Sequence, residues 1–446
     1  MKNKITLLIA ILVLVMTSLV IAQPYNEWQE ETELPAEQSG TRGSALVYAE
    51  NKLFLIGGSA GATRHNETWS YDLETSTWTQ KTNIPVTHTS YQQAGYHEGK
   101  IYATTNSEGN QGNDKFFAYD ISTDTWNELA SLPVAIIGNS MSIHDNKIYL
   151  YSVMMHGIRN NLTLIYDIDT DTWSYGAEAP RYKEGIMGGA LIDEKIYDLA
   201  GEDYETYEFN EYLDIYDIAN NTWTSEPLPH TELAIAYGGV TSLGKKVFAI
   251  GGVWDNNEWY YSNKTWIYNT ETNEWTQKQD LPEERAEHGI TKSEDTIWIA
   301  GGRNNEGIIT NILRYQVISG CTDPEATNFN EDAIVDDGTC YYNPGCTDEE
   351  AVNYDSEADF DDGSCEYSSA ATGGGGGGAG WPEDEIVEEI EEEDDVTDTG
   401  APLFAIGGGE GEIDTTWLIV GIAAVVLIAG YFMMQNKPKQ TRRKTK

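Results

Sequence analysis

The sequence predicts an all-β fold of stacked, self-similar sheet units. Two observations carry this. A Tyr-Asp pair, a polar turn and a tryptophan recur as Tyr71 to Trp78, Tyr119 to Trp126, Tyr166 to Trp173, Tyr216 to Trp223 and, with asparagine for aspartate, Tyr268 to Trp275. The tyrosine-to-tryptophan offset is always 7, and successive tryptophans lie 48, 47, 50 and 52 residues apart. A period near 50 marks units that bury a core only by stacking. Within each unit, short alternating runs of Tyr, Ile, Val and Trp are broken by Asp, Asn, Thr and Gly turns, the pattern of strands.

Each unit has the same order. A Leu-Pro or similar pair follows most tryptophans: Ile84-Pro85, Leu132-Pro133, Ala179-Pro180, Leu228-Pro229 and Leu281-Pro282. Proline ends the outer strand because it donates nothing to a ladder. A later strand often ends in two glycines, Gly57-Gly58, Gly251-Gly252 and Gly301-Gly302. Glycine there permits positive φ and close approach of neighbouring units. These residues resemble the kelch repeat family over roughly residues 25 to 318, which implies a β-propeller with one four-stranded sheet per repeat. Two repeats depart from the pattern, with Tyr102-Ala-Thr-Thr and Tyr149-Leu-Tyr-Ser in place of the diglycine.

The ends of the array give the blade count. The last repeat, through Tyr315, has Thr322 where the tryptophan belongs, whereas Trp28 and Leu34-Pro35 lie 50 residues before Trp78 and its unit. The expectation is a six-bladed propeller over residues 23–319, with the N-terminal strand closing the last blade and removing open sheet edges.

The flanking segments have their own signatures. Residues 1–22 open with Lys2 and Lys4, run apolar and end Val20-Ile21-Ala22, as a secretory signal peptide does. Residues 320–343 and 344–367 are an ungapped duplicate, Gly-Cys-Thr-Asp through Asp-Asp-Gly-Thr/Ser-Cys. Its four cysteines permit three pairings. Duplication favours Cys321–Cys340 and Cys346–Cys365, because each unit then closes on itself. These units resemble short acidic repeats of marine-microbe surface proteins and the acidic loops of thrombospondin type 3 repeats. That resemblance implies a calcium site from Asp323, Asn328, Asp336 and Asp337, and another from Asp348, Asn353, Asp361 and Asp362. A disulfide-pinned spacer with solvated acids is the other reading. Residues 368–414 hold six consecutive glycines and an acidic run, a composition that supports no core, so a disordered stalk spanning about 40 Å is expected. Residues 415–434 include 18 uncharged residues, Trp417 to Met434, enough for one transmembrane helix. Six basic residues in 435–446 place that tail in the cytoplasm. A sorting tail that is removed is the alternative.

Charge narrows the partners. Of 73 acidic residues, 44 fall in 23–319 against 19 basic ones (44 − 19 = 25 in excess), and 29 fall in 320–414 with no basic residue. Such a chain repels nucleic acid. The propeller region contains no cysteine, which excludes a copper-radical oxidase of the galactose oxidase type. No Ser-His-Asp set, phosphate loop or zinc motif is present, and His65, His97, His144 and His156 read as surface residues. The residues expected at the channel mouth, as a ligand-binding set, are Arg42, His88, Arg181, Glu184, Arg285 and His288. Asn66, Asn161, Asn220 and Asn263 head Asn-x-Thr triplets competent for glycosylation on a secreted surface. The expected function is non-enzymatic: a single-pass cell-membrane protein whose extracellular propeller binds a glycan or protein ligand, with calcium as the one cofactor considered. The alternatives are an anchored sugar-processing ectoenzyme of the sialic acid mutarotase type, marked by convergence of Arg181, Glu184, Arg285 and His288, and a structural envelope protein.

Overall fold

The structure is a computed structural model that describes residues 25–367, apart from 37–40, 62, 87–90, 106–111, 156–159, 184, 186, 204–205, 207 and 256–258. The expectations for the signal peptide, stalk, transmembrane segment and basic tail lie outside those residues. Among the described residues no helix is long and apolar enough to cross a membrane.

Six sheets make the propeller, each with four antiparallel strands; the blade 5 sheet gains a fifth, two-residue strand, Met187–Gly188, parallel to its inner strand. Blade 1 is Ala45–Ala49, Lys52–Ala60, Thr63–Asp72 and Thr77–Lys81. Blade 2 runs from Ala94–His97 to Thr125–Glu128, and blade 3 from Gly138–His144 to Thr172–Tyr175. Blade 4 runs from Ala190–Ile192 to Thr222–Pro227, and blade 5 from Gly239–Leu243 to Glu274–Gln277. In blade 6, Gly289–Lys292, Thr296–Ala300 and Asn311–Gln316 are completed by the N-terminal strand Glu27–Glu33. Trp28 faces Tyr315 in that register, so the ring closes as the displaced tryptophan predicts.

The recurring tyrosine and tryptophan are direct cross-strand partners in every blade. Their rings sit 5.0–5.2 Å apart at 40–49°. A tilted pair of this kind adds about 0.5–1.5 kcal/mol beyond its buried area. The turn between them explains the polar residues. Asp72, Asp120, Asp167 and Asp217 accept backbone N–H bonds from residues two or three ahead. Asp124, Asp171, Asn221 and Asn273 follow in the left-handed region, φ 51–59°, which Asn and Asp tolerate. Their side-chain oxygens accept the hydroxyls of Tyr119, Tyr166, Tyr216 and Tyr268 at 2.6–2.9 Å.

The same turns stitch blade to blade. Asp124 accepts Thr82 N at 2.9 Å while Trp126 Nε1 donates to Thr82 O at 2.9 Å. Asp171 and Trp173 clasp Ala130 in the same way, and Asn221 and Trp223 clasp Ala177. At the closing blade Trp28 Nε1 donates to Thr265 Oγ1 in blade 5 at 2.9 Å. Between the blades lie the apolar clusters, such as Trp28, Phe248, Ile299 and Leu313 between blades 5 and 6.

The diglycines mark close approach. Gly251 and Gly301 have φ +60°, and a Cβ on them would lie 2.3 Å from Arg285 O and 2.2 Å from Thr41 O of the next blade. Blade 4 uses Ala200 (φ 44°) and Gly201 (φ 91°) instead. Blade 3 places Ser152 at φ 47° there, and its hydroxyl bonds Asp198 of blade 4 at 2.9 Å. A side-chain link thus replaces the glycine contact.

The duplicated units follow the propeller. Cys321–Cys340 and Cys346–Cys365 are bonded, each with Cα atoms 4.8 Å apart. The first unit packs under blade 6. Ile334 joins the cluster around Trp28 and Val317, and Asn26, just before the closing strand, donates to Asp332 O at 2.9 Å and accepts from Ile318 N at 3.2 Å. Tyr341 and Phe360, stacked at 4.1 Å, link the two units.

Candidate functional site

Just before the inner strands of five blades, all but blade 3, the chain turns through the left-handed region. Gly43, Tyr91, Gly185, Tyr237 and Glu287 occupy this position, with φ 57–83°. Their backbones form a hydrogen-bonded belt at the channel mouth. Tyr91 N donates to Gly43 O, Gly43 N to Glu287 O and Glu287 N to Tyr237 O, each at 2.7 Å, and Tyr237 N donates to Gly185 O. Three non-glycine residues held at positive φ are costly, roughly 1–3 kcal/mol each, and such strain collects at functional sites.

The belt positions a charged cluster. The Glu287 carboxylate, 2% exposed, receives Arg42 on one oxygen and Arg303 on the other, both at 2.8 Å. Both arginines keep about a quarter of their side chains exposed. Burial works against the Arg42 cation, but Glu287 outweighs it and holds the guanidinium charged. Tyr91 OH lies 3.4 Å from Arg42 Nη1. Burial first, and then the Glu287 charge, push the Tyr91 phenol up to about 12, so it stays a neutral hydrogen-bonding group. Tyr237 stands 6.3 Å from Tyr91 and reaches Glu202 at 3.3 Å. Arg303 lies over the Tyr261 ring at 5.8 Å. The cluster pairs a fixed carboxylate with accessible planar cations and aromatic faces, which suits recognition of a polar surface.

Of the six expected mouth residues, Arg42 is in this cluster. His88 and Glu184 lie outside the described residues. Arg181 is turned into blade 4, where it pairs with Asp214 and covers the Tyr212 ring at 3.8 Å. Arg285 is fully buried in blade 6, donating to Glu283 at 2.7 Å and Asn311 at 2.6 Å. His288 is also fully buried, and neither ring nitrogen has a hydrogen-bond partner among the described residues. The expected mouth set is therefore corrected: Arg181, Arg285 and His288 serve the blades, the two arginines because acids and carbonyls of their blades bind them, and His288 because its ring is packed in the interior. The two arginines do not converge, which removes the geometry the mutarotase alternative requires.

Sequence reasoning missed Tyr91, Tyr237 and Arg303. The first two recur with Gly43, Gly185 and Glu287 at the repeat period, a signal hidden because the residue types differ.

Blade 4 carries a second charged group. Lys183, 1% exposed, lies 3.0 Å from both Asp198 and Asp214. Burial pushes Asp198 up against the pull of Lys183. For Asp214 burial also works upward, but Lys183, Ser225 and Arg181 outweigh it and hold the carboxyl below the usual range. A fully interior network of this kind is structural. His65, expected at the surface, is 7% exposed and pairs with Glu67 at 3.3 Å.

In the acidic units the expected calcium ligands are occupied locally. Asp323 accepts Tyr342 OH at 2.6 Å and Asp348 accepts Tyr367 OH at 2.7 Å. Asp336, Asp337, Asp361 and Asp362 cap their own turns, and Asn328 and Asn353 bridge backbone groups across each unit. Among the described residues no group of three or more His, Cys, Asp or Glu side chains is arranged to hold a metal. Of the glycosylation triplets, Asn66 and Asn161 spend their amides on the Leu-Pro segments, bonding Val86 O at 2.8 Å and Ala179 O at 2.7 Å. Asn263 is half-buried, and Asn220 is exposed in the blade 4 turn.

Comparison with known proteins agrees with this architecture. The Kelch motif matches residues 40–85 and 235–282. An N-(sulfonatooxy)prop-2-enimidothioate sulfolyase of Thlaspi arvense is 27% identical over 31% of this chain and 40% of its own length. The Kelch-like protein terF of Aspergillus terreus is 28% identical over 32% of this chain and 33% of its own. Alpha-scruin of Limulus polyphemus is 27% identical over 31% and 15%. The chain thus spans less than half of these relatives. A solved structure described as "Structure of YjhT" superposes with a TM-score of 0.54 at 15% identity, covering 64% of this chain and 97% of that one, which speaks for the fold alone. The fold is thus a six-bladed β-propeller, and two of its segments match the Kelch motif.

Proposed function

We propose that this chain is a membrane-anchored recognition protein whose propeller displays the Arg42–Glu287–Arg303 mouth to a protein or glycan ligand outside the cell. The observation that carries this is the belt. It spends backbone strain to fix two arginines, each about a quarter exposed, and three half-buried tyrosines around one carboxylate. Preorganised Arg and Tyr are the groups that dominate interface energetics. The acidic, glycine-rich segment after the propeller and the apolar run near the C-terminus support display away from a membrane. The enzyme reading has no comparable support, since Arg181 and Arg285 are committed to separate blades.

Arrays of glycans and of extracellular proteins, probed with the full chain, test the proposal. The expected result is a ligand whose binding falls at least tenfold in Arg42→Gln and in Tyr237→Ala, with melting temperatures held. No ligand across broad arrays, or a ligand indifferent to both substitutions, overturns it. Assembly of the chain with itself in place of ligand binding would instead favour an envelope component.

A further inference from the structure

We infer that the channel end remote from the belt is a binding site for a small organic anion with an apolar body, held by Lys292.

The repeat places six equivalent positions on one rung of the inner strands: Tyr48, Tyr96, Ile143, Leu191, Ser242 and Lys292, each paired to the same position of its second strand. The belt residue Glu287 precedes Lys292 by five positions, so at about 3.3 Å per residue the rung lies some 16 Å along the strand. A cavity of about 400 Å³ occupies this part of the channel, and Lys292 is its one charged group among the described lining residues. The volume is in the range of small-molecule pockets. Adjacent rungs, with Met141, Val240 and Ile290, are apolar.

Among the described residues Lys292 has no acidic partner. Its Nζ donates to Ser242 Oγ at 2.7 Å, and that hydroxyl donates to Leu191 O at 3.0 Å. The serine proton is thus committed, and the ammonium keeps two further N–H donors. The side chain is open to channel water although protein surrounds it. Burial alone lowers its pKa to about 8, with no contribution from any charged neighbour. In a chain of net charge −46, an ammonium in a cavity without a carboxylate is a vacant counter-charge. An anion brings the missing partner, and partial exclusion of water strengthens the pair. Tyr48, stacked on Trp298 at 5.2 Å, and Tyr96 on the neighbouring blade supply flat walls beside it. The ligand class is therefore a carboxylate or sulfonate carried on a flat or aliphatic body.

The probe is 2-naphthoate, titrated into the full chain by calorimetry, with 2-naphthamide as the uncharged comparator. One equivalent of naphthoate is expected to bind, at least tenfold tighter than the amide. Lys292→Gln should weaken it tenfold or more, Lys292→Arg should restore it to within threefold, and Arg42→Gln, at the other mouth, should leave it unchanged. Acetic anhydride labelling read by mass spectrometry gives a second measure. Lys292 should label ahead of the surface lysines at pH 7.5, and naphthoate should protect it. No binding at millimolar probe, equal binding of the amide, or undiminished binding by Lys292→Gln overturns the inference. The Arg42→Gln control separates its failure from that of the mouth proposal.

Discussion

Replacing Asp171 tests the physical logic of the repeat. Asp171 holds φ 52°, accepts Tyr166 OH at 2.8 Å, and accepts Ala130 N of the preceding blade at 2.8 Å. Asp171→Ala removes both acceptors and puts a side chain without local hydrogen bonding into the left-handed region. Each hydrogen bond contributes about 1 kcal/mol and the backbone penalty is of similar size. Because Asp171 is exposed, water recovers part of the loss, leaving about 2–3 kcal/mol. For a domain of this size that is a fall in Tm on the order of 5 °C. Asp171→Asn should cost less than about 1 kcal/mol, since blades 4 and 5 already use Asn221 and Asn273 in this role. Tyr166→Phe should cost about 1 kcal/mol and be non-additive with Asp171→Ala, the two sharing one bond. Differential scanning calorimetry of the wild-type chain, the three single variants and the Asp171→Ala/Tyr166→Phe double decides the matter. If Asp171→Asn is as damaging as Asp171→Ala, acceptor geometry is not what the turn provides. A loss below about 0.5 kcal/mol for Asp171→Ala would show that the clasp is decorative.

Three further outcomes are expected. His288 is held down to about 3, by burial first and then by Arg285, against about 6.5 unfolded. The unfolded chain therefore binds a proton that the folded one refuses, so stability is complete above about pH 6.5 and falls with acidification toward pH 3, by up to about 1.4 kcal/mol per unit. His288→Leu should flatten that part of an acid-melting curve, and an unchanged slope would assign it elsewhere. Expression through a glycosylating secretory route should load Asn220, which is exposed and whose amide bonds a carboxylate of its own surface turn, and leave Asn66 and Asn161 bare by peptide mass spectrometry, because both are half-buried with their amides on backbone carbonyls; a glycan on Asn66 would contradict this. Calcium binding by Asp323 and Asp348 must displace Tyr342 and Tyr367, so a calcium titration should change tyrosine fluorescence, and Tyr342→Phe with Tyr367→Phe should abolish the change; a calcium isotherm with silent tyrosines would refute that coupling.

The blade frame was legible because its chemistry repeats. Trp28, Leu34 and Pro35 announce the closing strand, and each tyrosine meets its tryptophan since a seven-residue offset spans a tight turn. The paired cysteines were legible from duplication. Burial was not. Arg285 and His288 share their stretch with Glu287, yet only Glu287 faces the mouth, where its backbone enters the left-handed region. No local property of Lys183 foretells that Asp198 and Asp214 are carried into the same blade interior. The belt tyrosines were illegible for the opposite reason: position is conserved around the ring while side chains vary, so the turn is selected by backbone geometry.

The disulfides of the acidic units also govern how a pull is transmitted. Tension arriving from residue 367 enters at Cys365 and crosses to Cys346 over a Cα separation of 4.8 Å, bypassing the 19-residue path between them. The loaded connection is short and inextensible, and the enclosed turns stay slack. Reduction would release about 65 Å of contour from each unit at 3.3–3.6 Å per residue, turning a stiff tether into a long spring just beneath the blade that closes the ring.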